Sequence, residues 1–335
     1  MMLIEVENLS RVYRTPVAPK NWGERFKHLI RANFEDKLSV SDVSFTVAAG
    51  ECVGLVGPNG AGKSTTIKML TGILAPSSGK VLVAGHHPQR DRVKYVKKIG
   101  VVFGQRSQLW WDLPVKDSFE ILQALFDVPQ AAFNARLDLF RREANLDEFY
   151  HRPVRTLSLG QRMLCEIAAA FLHSPDVVFL DEPTIGLDLD MKSRMRGLIR
   201  KLNVDAGTTV LITSHDVGDI ERLTQRLLLI DKGTLRFDGS LAQFRQHAGD
   251  GRWWAARLQP DLVAAAELIL RQHHSALPVR LRGDWLEIAR HDTLPFAELM
   301  QLLAPYSVSE LKPVEQEFEE LLHGFYLANK TEAVC

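Results

Sequence analysis

Short apolar runs alternate with amphipathic segments through the first 240 residues of the chain. Residues 3–9 alternate apolar and polar side chains, which predicts a strand, and residues 52–56 form an apolar run typical of a buried strand. Further strands are predicted at residues 42–47, 80–84, 100–103, 176–180, 208–213, 227–230 and 235–237. Because helical patterns separate many of these runs, we expect an α/β domain.

Strand patterns stop between about residues 106 and 173. Helical patterns replace them at residues 115–126, 129–144 and 159–173. This stretch is therefore predicted to be a helical subdomain within the α/β domain. After about residue 240, strand-like and helix-like segments alternate, and residues 314–322 predict a last acidic amphipathic helix. The pattern divides the chain into a domain of residues 1–240 and a small α+β appendage of residues 241–335.

Residues 15–37 stand apart from this alternation. Pro16 and Pro19 indicate a loop, after which apolar residues fall near helical spacing with basic residues between them. Those apolar residues are Trp22, Phe26, Leu29, Ile30 and Phe34. The segment fits a basic amphipathic helix on a membrane surface or a partner, but a helix packed on its own domain is the favoured interpretation.

Composition and charge narrow the class of protein. Hydrophobic residues make up 46% of the chain, and 41 basic residues balance 41 acidic ones, so charge gives no case for a nucleic-acid partner. No apolar run approaches the roughly 18 residues of a membrane span. The N-terminus lacks the basic start of a secretory signal, and we expect a cytoplasmic location. Cys52, Cys165 and Cys335 have no metal-binding spacing and are expected to be buried thiols.

A phosphate-binding loop is predicted between a strand and a helix. Its sequence is Gly57-Pro58-Asn59-Gly60-Ala61-Gly62-Lys63-Ser64-Thr65, a match to G-x-x-x-x-G-K-[ST]. The glycines let backbone N–H groups wrap around phosphates, and the helix N-terminus adds partial positive charge. Lys63 supplies charge to the β- and γ-phosphates, and Ser64 a hydroxyl for Mg²⁺. A Gly-rich turn without chemistry is the alternative.

Two carboxylates follow the strand predicted at residues 176–180. Asp181 and Glu182 stand at its carboxyl end, where open α/β sheets bind ligands, and a turn at Pro183 is expected to bring both to one site. With the phosphate-binding loop present, Asp181 is expected to hold Mg²⁺ and Glu182 to deprotonate water. A capping pair is the alternative. His215 follows another predicted strand, on the same edge.

A helix is predicted at residues 191–202. It carries four basic residues, Lys192, Arg194, Arg196 and Arg200, which are expected to form a solvated face rather than a functional one.

Taken together, residues 3–240 resemble the nucleotide-binding subunits of ABC (ATP-binding cassette) transporters. Residues 57–65 resemble the Walker A loop, and residues 177–182 the Walker B strand with its catalytic glutamate. Residues 157–161, Leu-Ser-Leu-Gly-Gln, are similar to the signature LSGGQ, and residues 186–188 to the D-loop. The joint occurrence of these motifs in this order is specific to the family.

The resemblance implies a role for each matching residue. Gln105 matches the Q-loop glutamine, His215 the switch histidine, and Tyr13 the aromatic residue that stacks on adenine. The implied ATP-binding residues are Tyr13, residues 57–65, Ser158, Gly160, Gln161 and Asp188. The implied catalytic residues are Lys63, Gln105, Glu182 and His215, and the implied Mg²⁺ ligands are Ser64, Gln105 and Asp181.

One residue departs from the family pattern. Leu159 replaces the first glycine of the signature, but its backbone N–H is retained, so at most a modest effect on nucleotide affinity is expected. Residues 103–111, the C-terminal appendage and the segment at residues 15–37 resemble the exporter branch of the family, which works with separately encoded membrane permeases.

The resemblance implies a head-to-tail dimer that encloses two ATP molecules. Ser158 and Gly160 of one copy would cap the γ-phosphate held by the other, and hydrolysis would let the dimer open. Residues 106–126 would transmit this motion to a permease, and the subunit would lie on the inner face of the cell membrane. The expected function is therefore ATP hydrolysis coupled to transport, in the export direction.

Two other functions remain open at this point. One is a soluble ABC ATPase of translation or DNA repair, which would carry a second such domain or a long coiled coil that this sequence lacks. The other is a regulatory nucleotide-binding module with little turnover, against which Glu182 and His215 argue.

Overall fold

The computed structural model describes residues 1–16, 34–104, 106–214, 216–248, 252–274, 277–290 and 294–332. These residues form two compact units, Met1–Leu241 and Ala242–Cys335. Within the described ranges, no helix has both the length and the apolar character to cross a bilayer.

The first unit alternates strands and helices along the chain. Its strands are β1 Met2–Pro16, β2 Phe34–Ala48, β3 Cys52–Val56, β4 Ser78–Val83, β5 Ile99–Phe103, β6 Val177–Asp181, β7 Thr209–Thr213, β8 Arg226–Asp231 and β9 Thr234–Ser240. Its helices are α1 Lys63–Leu70, α2 Arg92–Val96, α3 Val115–Leu125, α4 Gln130–Ala144, α5 Leu159–Phe171, α6 Leu189–Ala206 and α7 Val217–Leu223.

A six-stranded sheet forms the centre of this unit, in the order β5-β6-β7-β3-β8-β9. All neighbours pair in parallel except β8 and β9. Strands β6 and β7 are almost continuously apolar and buried, as expected for a parallel sheet covered on both faces. Parallel pairing brings the carboxyl ends of β3, β6 and β7 to one edge of the sheet.

A three-stranded antiparallel sheet, in the order β2-β1-β4, packs against α1 and the central sheet in one apolar cluster. Strands β1 and β2 are longer than predicted, because their outer halves pair as a polar ribbon without apolar alternation. Arg14 pairs with Asp36 there at 3.5 Å, with both side chains mostly exposed. Most of the helix predicted over residues 15–37 lies outside the described residues, but Phe34 begins β2, so the prediction is wrong at that residue.

The helical stretch contains α3, α4 and α5, at the predicted positions. Helix α5 is buried from Met163 onward and packs against α3, α6 and β5. Helix α4 is joined to α6 by an ion pair between Glu143 Oε1 and Lys201 Nζ at 2.6 Å. This stretch is therefore anchored to the α/β part through both α6 and β5.

The second unit is an α+β structure. Its strands are β10 Arg252–Arg257, β11 Val279–Arg282, β12 Trp285–Ala289 and β13 Glu310–Glu315, and its helices are α8 Leu241–His247, α9 Pro260–His273, α10 Phe296–Leu303 and α11 Phe318–Glu332. The strands form an antiparallel sheet in the order β11-β12-β10-β13. Val314 belongs to β13 and not to the predicted last helix, because it pairs with Trp253 of β10. That helix begins instead at Phe318.

Candidate active site

The predicted phosphate-binding loop joins the end of β3 to the start of α1. Gly60 and Gly62 have φ values of 80° and 110°, in the left-handed region that favours glycine. The Ala61 N–H donates to the Pro58 carbonyl at 3.1 Å, and the Ala61 carbonyl accepts from the Gly233 N–H at 2.9 Å. The loop is thus fixed both by its own backbone and by the turn between β8 and β9.

Lys63 is the first residue of α1 and is almost fully buried. Its ammonium donates to the carbonyls of Gly57 at 2.6 Å and Pro58 at 3.1 Å. Burial lowers the pKa of Lys63, while the nearby carboxylates of Glu182 and Asp181 act to raise it. Ser39, residues 59–65 and Glu182 line a shallow depression around this ammonium. A buried cation beside a helix N-terminus is suited to bind phosphate.

Asp181 ends β6 and reaches the phosphate-binding loop. Its Oδ1 accepts from the Ser64 hydroxyl at 3.2 Å and from the Thr213 hydroxyl at 2.7 Å. The structure therefore brings Ser64 and Asp181 together in one cluster, and their roles as Mg²⁺ ligands stay predictions. Two hydrogen bonds to one oxygen fix the orientation of this carboxylate.

Glu182 lies at the turn that follows β6. Its φ of 56° is in the left-handed region, which side chains other than glycine rarely adopt. Its N–H donates to the Thr213 carbonyl and to the Thr213 hydroxyl, each at 3.1 Å. Asp181 and Glu182 both contribute to the site because the backbone turns at Glu182 itself, one residue earlier than the predicted turn at Pro183.

The signature residues surround the start of α5. Ser158 is the N-cap, and its hydroxyl accepts from the Gln161 N–H at 3.2 Å while the Gln161 side chain accepts from the Ser158 N–H at 3.1 Å. Gly160 packs so closely on Met191 of α6 that a Cβ atom would overlap it. Asp188 caps α6 and accepts from the Met191 N–H at 2.8 Å.

Among the described residues that line the depression around Lys63, none comes from the signature, and Asp188 is not among them either. Tyr13 is not in that lining either; its ring lies on β1, 4.9 Å from the Arg11 guanidinium carbon. Leu159 is 40% exposed, and its side chain lies beside Gly186. The assignment of Tyr13, Ser158, Gly160, Gln161 and Asp188 to nucleotide binding stays a prediction.

Gln105 and His215 lie outside the described residues, and their predicted roles stay predictions. Sequence analysis missed Thr213, whose hydroxyl contacts both Asp181 and the backbone of Glu182. Thr213 could have been noticed as a polar residue at the end of an apolar strand. Only the register of β6 against β7, however, shows that it lies opposite Asp181. Sequence analysis also missed Ser39, whose hydroxyl donates to the Thr65 hydroxyl at 3.1 Å.

Comparison with known proteins places this arrangement in one family. The family model described as "ABC transporter" matches residues 40–185. The chain is 37% identical to Nod factor export ATP-binding protein I of Burkholderia lata, over 67% of this chain and 72% of that protein. It is 31% identical to the ABC transporter ATP-binding protein NatA of Bacillus subtilis, over 62% and 86% of the two chains.

A solved structure shows the same fold. It is the dimeric structure of a post-hydrolysis state of an ATP-binding cassette bound to ADP and phosphate, with a TM-score of 0.58 and 23% identity over 71% of this chain and 98% of that one. The predicted fold class and family are therefore confirmed. The chain belongs to the ABC transporter family, as an ATP-binding subunit.

Proposed function

We propose that this subunit binds ATP with Mg²⁺ at the loop of residues 57–65 and hydrolyses it as half of a head-to-tail dimer, which drives export through a separate membrane permease. The observation that supports the site is a cluster at one sheet edge. The Lys63 ammonium, the Ser64 hydroxyl and the Asp181 carboxylate meet there, with Glu182 in the same depression. This set provides the charges and hydroxyl that phosphoryl transfer to water requires.

Each residue of the cluster has one role in this proposal. Lys63 leaves its carbonyl partners to contact the β- and γ-phosphates, because phosphate oxygens are the stronger acceptors. Ser64 and Asp181 offer the hydroxyl and carboxylate oxygens that Mg²⁺ binds, and the ion when bound neutralises phosphate charge. Glu182 accepts the proton of the attacking water.

A second copy of the chain would complete the site. Ser158 and Gly160 lie at the N-terminus of α5, whose first turn contains no acidic residue. That helix end carries partial positive charge and is suited to cap a γ-phosphate held by the other copy. The dimeric state of the structurally similar cassette supports this arrangement.

The permease would bind near the tryptophans that follow β5. Trp110 and Trp111 are 40% and 51% exposed, and the Arg162 guanidinium carbon lies 5.5 Å from the Trp111 ring centroid. Exposed adjacent tryptophans are typical of protein interfaces.

The export direction rests on the relative of Burkholderia lata, which is named for Nod factor export. The subunit would then lie at the inner face of the cell membrane.

Purified protein tests the enzymatic part of this proposal. E182Q is expected to lower kcat by about 10²–10⁴ with ATP binding retained, as loss of a general base does. K63A is expected to weaken ATP binding itself, and H215A to lower turnover with binding retained. R194A is the matched control, because Arg194 pairs only with the exposed Asp190 among the contacts described. Near-normal turnover of E182Q would remove Glu182 from its role.

Association is tested separately. E182Q in the presence of ATP is expected to elute as a dimer in light-scattering chromatography, and S158E is expected to prevent this by placing negative charge against the γ-phosphate. Co-purification with a polytopic membrane protein would support the transport role, whereas full function without one would favour a soluble ATPase.

A further inference from the structure

Thr213 occupies a central position at the site. It is the last residue of β7, it is fully buried, and it stands directly opposite Asp181 in the register of the β6–β7 pair. Its Oγ1 donates to Asp181 Oδ1 at 2.7 Å and accepts from the Glu182 N–H at 3.1 Å. One hydroxyl therefore contacts both acidic residues of the proposed active site.

Threonine is well suited to hold this position. A hydroxyl has one proton and two lone pairs, so it can donate to a carboxylate and accept from a backbone N–H at the same time. Branching at Cβ restricts χ1, which fixes the direction of the hydroxyl from a rigid strand. Because the bond to Asp181 is charge-assisted and partly buried, it is stronger than an ordinary surface hydrogen bond.

The backbone at Glu182 requires such support. A φ of 56° is unfavourable for a glutamate, and it persists only where surrounding contacts hold it. The Glu182 N–H is shared between the carbonyl and the hydroxyl of Thr213, both at 3.1 Å. Without the hydroxyl, only the carbonyl of that pair remains to fix the turn.

We propose that Thr213 is a positioning residue for ATP hydrolysis: its hydroxyl orients Asp181 toward Mg²⁺ and fixes the turn that carries Glu182. This inference rests on the proposed function, because it assumes the roles of those two acids. If Thr213 had only a packing role at the end of β7, valine would serve equally well, because it has the shape of threonine without the hydroxyl.

The test compares T213V with T213S. T213V is expected to lower kcat by about tenfold or more, the effect of losing a hydrogen bond to a charged group. Binding of a fluorescent ATP analogue in EDTA is expected to stay within about twofold of wild type, because the hydroxyl contacts the acids and not the phosphates. The same binding signal is then followed in a Mg²⁺ titration. T213V is expected to need several times more Mg²⁺ than wild type, because residues that orient metal ligands contribute to metal affinity.

T213S keeps the hydroxyl and is expected to restore turnover and the Mg²⁺ dependence. Wild-type values for T213V, or equal impairment of T213S and T213V, would overturn the inference. If T213V fails to fold, T213C replaces it, because a thiol is a weak donor of similar size to the serine hydroxyl. Wild-type protein that binds Mg·ATP but shows no turnover would refute the proposed hydrolysis, while the Mg²⁺ titration would still decide the role of Thr213.

Discussion

Replacing Arg196 with methionine tests whether a buried ion pair holds α7 against α6. Arg196 Nη1 donates to Asp219 Oδ1 at 2.6 Å, and Asp219 is fully buried. Its Oδ2 is also buried and accepts no hydrogen bond within the part of the chain that the structure describes. In R196M the carboxylate would stay buried without its cation. Loss of one partner of a buried pair costs about 3–5 kcal/mol, and we expect that loss in the free energy of unfolding.

Differential scanning calorimetry measures this loss. At roughly 2–4 °C per kcal/mol for a unit of this size, the unfolding temperature of the first unit is expected to fall by roughly 6–20 °C. Calorimetry is preferred because the chain has two compact units, whose transitions need not coincide. Nucleotide binding by the remaining folded protein confirms which transition belongs to the first unit.

Two further variants make the interpretation specific. Arg194 lies on the same helix and pairs with Asp190 at 2.9 Å, but these side chains are 41% and 72% exposed, so R194A is expected to change stability by less than about 0.5 kcal/mol. The double variant R196M/D219L replaces the pair with apolar side chains and is expected to regain most of the lost stability. A loss below about 1 kcal/mol in R196M, or no recovery in the double variant, would refute the reasoning.

Two other predictions concern ionisable groups. Burial raises the pKa of Cys52 to about 12 and also raises the pKa of Cys165. In a C335S background, both thiols are therefore expected to react with DTNB at pH 8 at least about 10²-fold more slowly in native than in unfolded protein. Rapid labelling of either thiol in the native protein would contradict this. The hydrogen bond from Lys192 lowers the pKa of Asp216, so this pair stabilises the fold at neutral pH and loses its effect as the pH falls through the lowered folded-state pKa. The difference in unfolding temperature between wild type and K192M is therefore expected to narrow below that pKa, and a constant difference would show that the charge of Asp216 is not involved.

The parts of the site that depend on local sequence were predictable. The phosphate-binding loop needs only a strand, glycines at two positions of positive φ and a helix start, all of which lie within residues 52–70. The position of Asp181 at the edge of the sheet was also predictable, because the carboxyl end of a buried strand is a local property. Thr213 was missed because its role depends on strand register, which joins residues 32 positions apart in the chain.

The basic face of α6 also depends on contacts with a distant part of the chain, which its local sequence pattern does not show. Lys192 and Arg196 were expected to be solvated, but their side chains are only 18% and 15% exposed because both pair with α7 or its N-cap. Periodicity identified the face correctly, since these residues are four apart and share one side of the helix. It could not show that another helix covers that side, because α7 is a short element whose packing partner is not encoded locally. The prediction of a solvated face is therefore wrong at Lys192 and Arg196, whereas Arg194 and Arg200 are exposed as predicted.

Helix α6 connects motifs of the proposed active site that lie apart in the sequence. Asp188 caps the N-terminus of α6 by accepting a hydrogen bond from the Met191 N–H. The Met191 side chain packs on Gly160 of the signature. One turn later, Lys192 binds Asp216, which follows β7 and the Thr213 hydroxyl. Near its C-terminus, Lys201 binds Glu143 of the helical stretch. Because an α-helix is stiff over its 18 residues, these three attachment points keep a fixed spacing along α6, and we expect a shift of the segment after β7 to be passed to the signature side and to α4.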